Sequence, residues 1–444
     1  MYKIVLTIFF ISVAFTAVAQ QGRYSETVDK KTYDLYMKSK WDELREAGAV
    51  AIENGIDFYF LRMRLGISYY EEKNFMSSIP HLEKAVGYSP GDSVSLEYLY
   101  YAYLFSGREN EANLLSKKFS SQLKRKLNYK QPEFFKGAYT EGGYSFNADY
   151  KDTKNNAVKG SQDLSGTQNV FNDETYLNLS LLHSIGERVS VFHGYNNIVV
   201  NSTQQFEDGI NGKQEFKSSV KQNEYYINLG FYLGKGFNLT TAFHYLNVKV
   251  EEYQPQSKTG SGFSNTISNS NYNVFNISLL KRLGHTELGL TTVFGNMNEG
   301  KQIQNTFTFI WYPFGNINFY NVSNFTFHSD KIGPGKPVTR VLFDDKLGYK
   351  IASKLWAEAV FTSGPIFNYS ESNAFIIYNN VNKIKYKAGF NLISPISNNV
   401  ELSFRYLFLP LEYDVTTTNT SNVSTTKTNN LLTHKIIGGI KWTF

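Results

Sequence analysis

The chain has 444 residues, with 45 Lys and Arg against 39 Asp and Glu, and no cysteine. This length leaves room for more than one domain, and the absent cysteines exclude a small disulfide-held scaffold. The net charge of +6 is too modest to point to nucleic acid, and none is expected as a partner.

Residues 1–19 hold Lys3, an apolar stretch from Ile4 to Phe15 and an Ala17-Val18-Ala19 site. That order predicts a secretory signal peptide cleaved before Gln20. No later run reaches the roughly 18 apolar residues a membrane helix needs.

From 20 to 130 the pattern predicts helices in a repeat. Leu65-Gly66 and Tyr69 are followed at repeat spacing by Ala85 and Pro90, with Phe75 heading the second helix. A forward shift of 34 residues sets Leu99, Tyr103 and Ala112 on Leu65, Tyr69 and Ser78; a backward shift sets Trp41 on Phe75 and Ala51 on Ala85. The outer copies are degenerate, with Tyr100 in place of the glycine and Ile56 in place of Pro90. The pattern resembles the tetratricopeptide repeat. By that resemblance a concave face for a periplasmic protein partner would carry Tyr33, Tyr36, Phe60, Met63, Ile67, Tyr70, Tyr101 and Leu104, although inter-repeat core suits the same residue types.

From about 131 to 444 the period is two. In 222–233, Tyr225, Ile227, Leu229, Phe231 and Leu233 share one face, with Glu224, Tyr226, Asn228, Gly230 and Tyr232 on the other. Segments 301–311 and 400–408 alternate in the same way, as strands do that meet a dry medium on one side only. Strands are predicted at 136–150, 173–185, 189–202, 222–233, 237–250, 272–283, 286–297, 301–312, 316–328, 339–352, 354–363, 383–394, 399–413 and 430–444, fourteen in all. Short turns alternate with mostly long polar connections such as 151–172, 203–221, 254–271, 364–382 and 414–429. This is the pattern of an antiparallel transmembrane barrel whose apolar parity faces outer-membrane lipid. The chain ends on Ile440-x-Trp442-x-Phe444, which resembles the terminal signal by which the insertion machinery recognises bacterial outer-membrane barrels.

Parity turns Asn, Gln, Thr and Ser inward through the middle strands. In the later strands it turns Arg340, Lys346, Lys350, Lys385, Lys387, Arg405, Lys435 and Lys441 inward, against Asp344, Glu358 and Glu401. Such a basic wall suits an anionic solute, or else its charges pair across the lumen and with loops and fill it. The five strand histidines are scattered, and no G-x-S-x-G, H-E-x-x-H or calcium loop occurs. No catalytic residue, metal ligand or cofactor is therefore expected.

In layout the chain resembles the outer-membrane exporters of bacterial exopolysaccharides, with fewer repeats and strands, and also smaller repeat-barrel outer-membrane proteins. The resemblance implies a channel or export conduit for polysaccharide or anionic solute in a Gram-negative outer membrane, with the repeats in the periplasm. Two alternatives stay open: a non-conducting anchor for a periplasmic complex, and a barrel enzyme acting on lipid or envelope glycan.

Overall fold

The computed structural model describes residues 25–155, 164–208, 212–256, 262–298, 300–333, 335–379, 382–419, 421 and 423–444. The expected signal peptide lies outside the described residues. Contacts divide the chain into a helical unit, up to Gln131 together with Tyr312–Ile317, and a β unit of Pro132–Trp311 with Asn318–Phe444.

In the helical unit, residues 25–37 (α1), Trp41–Glu53 (α2), Tyr59–Glu71 (α3), Phe75–Tyr88 (α4), Ser93–Phe105 (α5), Glu109–Leu115 (α6) and Ser121–Lys126 (α7) are helical. Asn74, Asp92 and Ser120 accept the amides of Ser77, Ser95 and Leu123, so α4, α5 and α7 begin with a first-turn donor satisfied. A Cβ at position 66 would stand 2.5 Å from Leu82 Cγ, so glycine lets α3 and α4 close on each other. One apolar cluster holds Leu44, Ala51, Leu61 and Leu65; a second holds Leu82, Leu96, Leu99, Ala102 and Leu115.

Between α3 and α4, Arg62 forks onto Asp57 with both bonds at 2.7 Å and meets His81 Nδ1 at 3.2 Å. The Arg62 hydrogen bonds hold the Asp57 carboxyl below its usual range. Burial, then the Arg62 charge, pushes the His81 imidazole down to about 4. Both groups bind fewer protons folded than unfolded, so the unit is most stable above about pH 6.5 and loses stability as pH falls toward 4. The urea midpoint of the helical signal should drop over that range, and His81→Gln should flatten the decline.

In the β unit, strands β1 (Phe135–Asn147), β2 (Leu164–Ile185), β3 (Val189–Asp208), β4 (Gly212–Gly234), β5 (Phe237–Pro255), β6 (Phe263–Leu283), β7 (Thr286–Met297), β8 (Gly300–Trp311), β9 (Phe319–Ile332), β10 (Val338–Ala352) and β11 (Leu355–Ile366) follow in order. After a two-stranded hairpin of β12 (Tyr369–Glu371) and β13 (Ile376–Tyr378) come β14 (Lys383–Pro395), β15 (Val400–Asn419) and β16 (Ser424–Thr443). Apart from that hairpin, the strands form a closed antiparallel barrel of fourteen, β16 pairing with β1 in the register Trp442↔Ala138 and Ile440↔Thr140. The fold class is the one expected: a helical N-terminal unit followed by a fourteen-stranded barrel.

The strands differ from expectation in length. β3, β4 and β5 run to 20, 23 and 19 residues, well beyond the about 9–11 that a tilted strand needs to cross a hydrocarbon core. Most of 203–221, 254–271 and 414–429, expected as loops, is therefore ladder. The connection after β1 carries a short helix, α8 (Tyr150–Asn155). The first residues of β2 make a second pairing, Leu164–Gln168 against Val415–Asn419 of β15, which draws β2 onto a strand three places away around the wall.

Candidate functional site

Along each strand one parity is exposed and the other buried. Tyr225, Leu233, Ile303, Phe307, Leu402 and Phe404 are exposed; Glu224, Tyr226, Gln302, Gln304, Thr306 and Leu407 are buried. The buried parity is the inside of the barrel, and two groups of it are apolar. Leu407, Leu409, Leu411 and Tyr413 of β15 cluster with Leu342 and Ile384, while Leu246, Val248, Val274 and Val293 cluster on β5 to β7.

Both clusters close on the β12–β13 hairpin, through Tyr369 in the first and Ala374 in the second. Its backbone is gripped by side chains from several strands. Gln304 donates to the Ser370 carbonyl at 2.8 Å and accepts the Ser370 amide at 3.2 Å, as a neighbouring strand would. Tyr226 Oη donates to the Asn373 carbonyl at 3.0 Å, and His244 Nδ1 to that of Ala374 at 2.7 Å. At the hairpin's root, His328 Nε2 donates to the Asn368 carbonyl at 2.6 Å and Asn298 to that of Asn379 at 2.9 Å. Lys387 of β14 holds both Glu371 oxygens at 2.6 Å and reaches Tyr378 Oη at 3.3 Å. The hairpin is thus a plug lodged inside the barrel.

Its seating is uneven. Toward β15 it is apolar, through Tyr369 among Leu407, Leu409 and Leu411, and toward β14 it adds the Lys387–Glu371 ion pair to the apolar Ile384. Toward β8 and β9 it is polar, and the buried atoms Gln302 Nε2, His328 Nδ1, Asn368 Nδ2 and Ser370 Oγ have no protein partner. Polar seams of this kind are where buried water is held in proteins.

On the turn side of the hairpin lies a cavity of about 500 Å³, reaching from Asn238, Arg282 and Glu287 beside the short turns up to Ser370–Ala374. Its wall mixes charges with amides and hydroxyls, among them Thr240, Ser278, Asn324 and Asn391. The basic residues marked by parity are mostly compensated. Arg340 pairs with Asp330 at 3.0 Å, Lys346 with Glu358 at 3.6 Å, Lys387 with Glu371 and Lys435 with Glu174 at 2.6 Å. Lys350 lies 4.5 Å from the Trp356 ring, and Lys441 stands opposite Glu401 in the β15–β16 ladder. Arg405 differs: its Nε donates to Asn391 Oδ1 at 3.1 Å, and among the described residues it has no ion pair.

Lys385 is a correction. The β14 register shifts between Ile384 and Ala388, so Ile384 and Lys387 both point in while Lys385 is exposed, 3.9 Å from Glu412. A bulge adds a residue and flips the parity on which the assignment rested. On the other face Ile440, Trp442 and Phe444 are all exposed, and Phe444 packs on Phe135 with ring centroids 4.9 Å apart.

In the helical unit the expected groove residues separate. Tyr33 and Phe60 are exposed and flank the Arg64 guanidinium at 5.2 and 5.4 Å. Tyr70 packs on Phe75 and Tyr98, and Tyr101 stacks on Phe105. Met63 accepts the Tyr59 hydroxyl at 3.3 Å. Tyr36 and Leu104 lean on the two apolar clusters. Ile67 is only 1 % exposed, so it is core and offers no surface to a partner, a second correction.

The plug contacts Tyr226, His244, Gln304 and His328 were missed by sequence reasoning, because inward polar residues look alike whether they face water or a loop. The available signal was the apolar run Ala374-Phe375-Ile376-Ile377-Tyr378 inside an otherwise polar connection.

No family model matches this chain, and no curated protein does. Among solved structures it is similar to the translocator domain of autotransporter NalP from Neisseria meningitidis, at 9 % identity over 77 % of this chain and 100 % of that one, TM-score 0.30. It is also similar to a deltaS2 mutant of the TodX monoaromatic hydrocarbon channel, at 10 % identity over 70 % of this chain and 91 % of that one, TM-score 0.43. A Pseudomonas aeruginosa FadL homologue matches at 9 % identity over 70 % and 90 %, TM-score 0.40. Likeness this distant leaves function to be argued from the geometry of the lumen.

Proposed function

We propose that this chain is an outer-membrane barrel conduit, closed at rest by the β12–β13 hairpin, with a periplasmic helical domain of the tetratricopeptide type that docks a protein partner. One observation carries the reading. The element that blocks the lumen is a separate hairpin, tethered between the neighbouring strands β11 and β14, and not a set of side chains fixed in the wall. Its polar seam along β8 and β9 is the side on which it parts from the wall at least cost, since the groups there can exchange a protein partner for water. The solute class in this reading is polar, on the charges, amides and hydroxyls that share the wall on the turn side with Leu280, Val293, Val322 and Leu407. The exposed Tyr33 and Phe60 and the Tyr70–Tyr101 region are the docking surface in this reading. The reading assigns the chain no chemical step.

The rival reading is a non-conducting anchor, favoured by the apolar packing of Tyr369 among Leu407, Leu409 and Leu411. Planar-bilayer recordings separate the two. The intact protein should be closed most of the time, and replacing Tyr369–Tyr378 by a short Gly/Ser link should give a steady conductance. A barrel that stays silent after that replacement is an anchor.

A further inference from the structure

We infer that the cavity beneath the hairpin is a binding site for a small hydroxylated carboxylate, held through Arg405. The inference rests on the conduit reading only for its biological setting; the site itself stands on the cavity wall. Three basic side chains on that wall already have carboxylate partners. Arg282 pairs with Glu287 at 3.0 Å, Lys346 with Glu358 and Lys387 with Glu371. Arg405 lines the same space, yet its hydrogen bond runs from Nε to the neutral Asn391 amide and its other electrostatic neighbour is the Tyr139 phenol, so no carboxylate among the described residues is paired with it. The bond to Asn391 fixes the plane of the guanidinium, and neither Nη makes a hydrogen bond among the described residues. A planar fork held in this way matches the two oxygens of a carboxylate.

Asn391 is itself held in place. Its Nδ2 donates to Glu358 at 2.6 Å, so its carbonyl oxygen faces Arg405 and the amide cannot turn round without losing both bonds. Glu358, the acid that Asn391 binds, is itself committed elsewhere. Glu358 takes Asn391, Lys346 and the Tyr320 hydroxyl, and Asp344 accepts Asn324 at 3.0 Å and Thr362 at 2.6 Å. A solute carboxylate meets no competitor already seated on Arg405.

The rest of the wall sets the remainder of the ligand. Asn238, Thr240, Ser278, Thr291 and Thr308 offer hydroxyl and amide groups that suit a chain of hydroxyls, while Leu280, Val293, Val322 and Leu407 suit its carbon backbone. The volume of about 500 Å³ falls within the usual range of small-molecule sites, about 300–1,000 Å³.

The test uses the full-length protein in detergent and calorimetric titration with gluconate, and with sorbitol as its uncharged counterpart. Gluconate should bind more tightly than sorbitol, and Arg405→Gln should weaken gluconate about tenfold or more while leaving sorbitol unchanged. Asn391→Asp gives Arg405 an internal carboxylate and should abolish the gluconate preference without removing the arginine. Heat-dependent gel mobility and strand circular dichroism report whether each variant folds. Gluconate binding that is undetectable, or equal in the wild type and in folded Arg405→Gln, overturns the inference. Because titration needs no current, a barrel silent after hairpin removal that still binds gluconate through Arg405 retires the conduit alone. A barrel that conducts but shows no Arg405-dependent binding retires this site alone.

Discussion

Replacing Glu371 by Ala is expected to raise the opening of the hairpin by about two to three orders of magnitude. Lys387 and Glu371 are both largely buried, with side chains 7 % and 12 % exposed, and the ammonium meets both carboxylate oxygens. Removing the carboxylate strands a buried cation, and breaking such a pair from one side costs about 3–5 kcal/mol. Each 1.4 kcal/mol is about a factor of ten in the equilibrium. The readout is a single cysteine at position 370, in a chain that has no other. Ser370 is 2 % exposed and its hydroxyl makes no hydrogen bond, so Ser370→Cys removes nothing that holds the hairpin. A hydrophilic maleimide should label this cysteine slowly in the parent and far faster with Glu371→Ala. The double change Glu371→Gln with Lys387→Met should restore slow labelling, because it removes the unpaired charge along with the pair. Equal labelling rates in all three proteins would mean that this pair does not latch the hairpin.

The second large effect concerns the outer face. Leu290 lies in a row of exposed apolar side chains, opposite Leu279 on β6 and Phe307 on β8, and is itself 60 % exposed. In water a change at so open a position shifts stability by about 0.5 kcal/mol or less. In a bilayer an arginine near mid-depth on a barrel costs about 2–4 kcal/mol. Leu290→Arg should therefore lower the unfolding free energy in lipid vesicles by that larger amount. Lys249→Arg, on the extended part of β5, should leave it unchanged. A small effect of Leu290→Arg would mean that this face does not meet lipid.

What could be read from the sequence depended on which side of each strand met which medium. Where the outward face is a row of exposed apolar side chains, as for Ile303 to Trp311, alternation is sharp and strand bounds fall within a residue or two of the structure. Beyond that apolar band both faces are polar. In Gly212–Lys221 and Ser424–Asn430 the strand continues in Ser, Thr, Gln and Lys with no parity to reveal it. The inward basic residues were visible by counting in twos, until the irregularity after Ile384 put Lys385 outside. Their partners were not visible, because Glu371 reaches Lys387 only once a connecting segment folds back into the lumen. In the helical unit the repeat spacing singled out Gly66, which the structure sets against Leu82, but it could not tell the exposed Phe60 from the buried Ile67 two turns along the same helix.

The hairpin is fastened at both ends. β11 and β14 pair directly with each other, from Trp356↔Ile393 up to Ile366↔Ile384, and the plug is the span of chain that joins them. Leaving its seat therefore never frees it. A segment leashed at both ends revisits its site at an effective concentration in the millimolar range for a short flexible tether. Reclosure is then a first-order search over a few nanometres, independent of how much protein is present. A barrel built this way resets itself once whatever displaced the hairpin has gone, and needs neither a second subunit nor an energy source to shut.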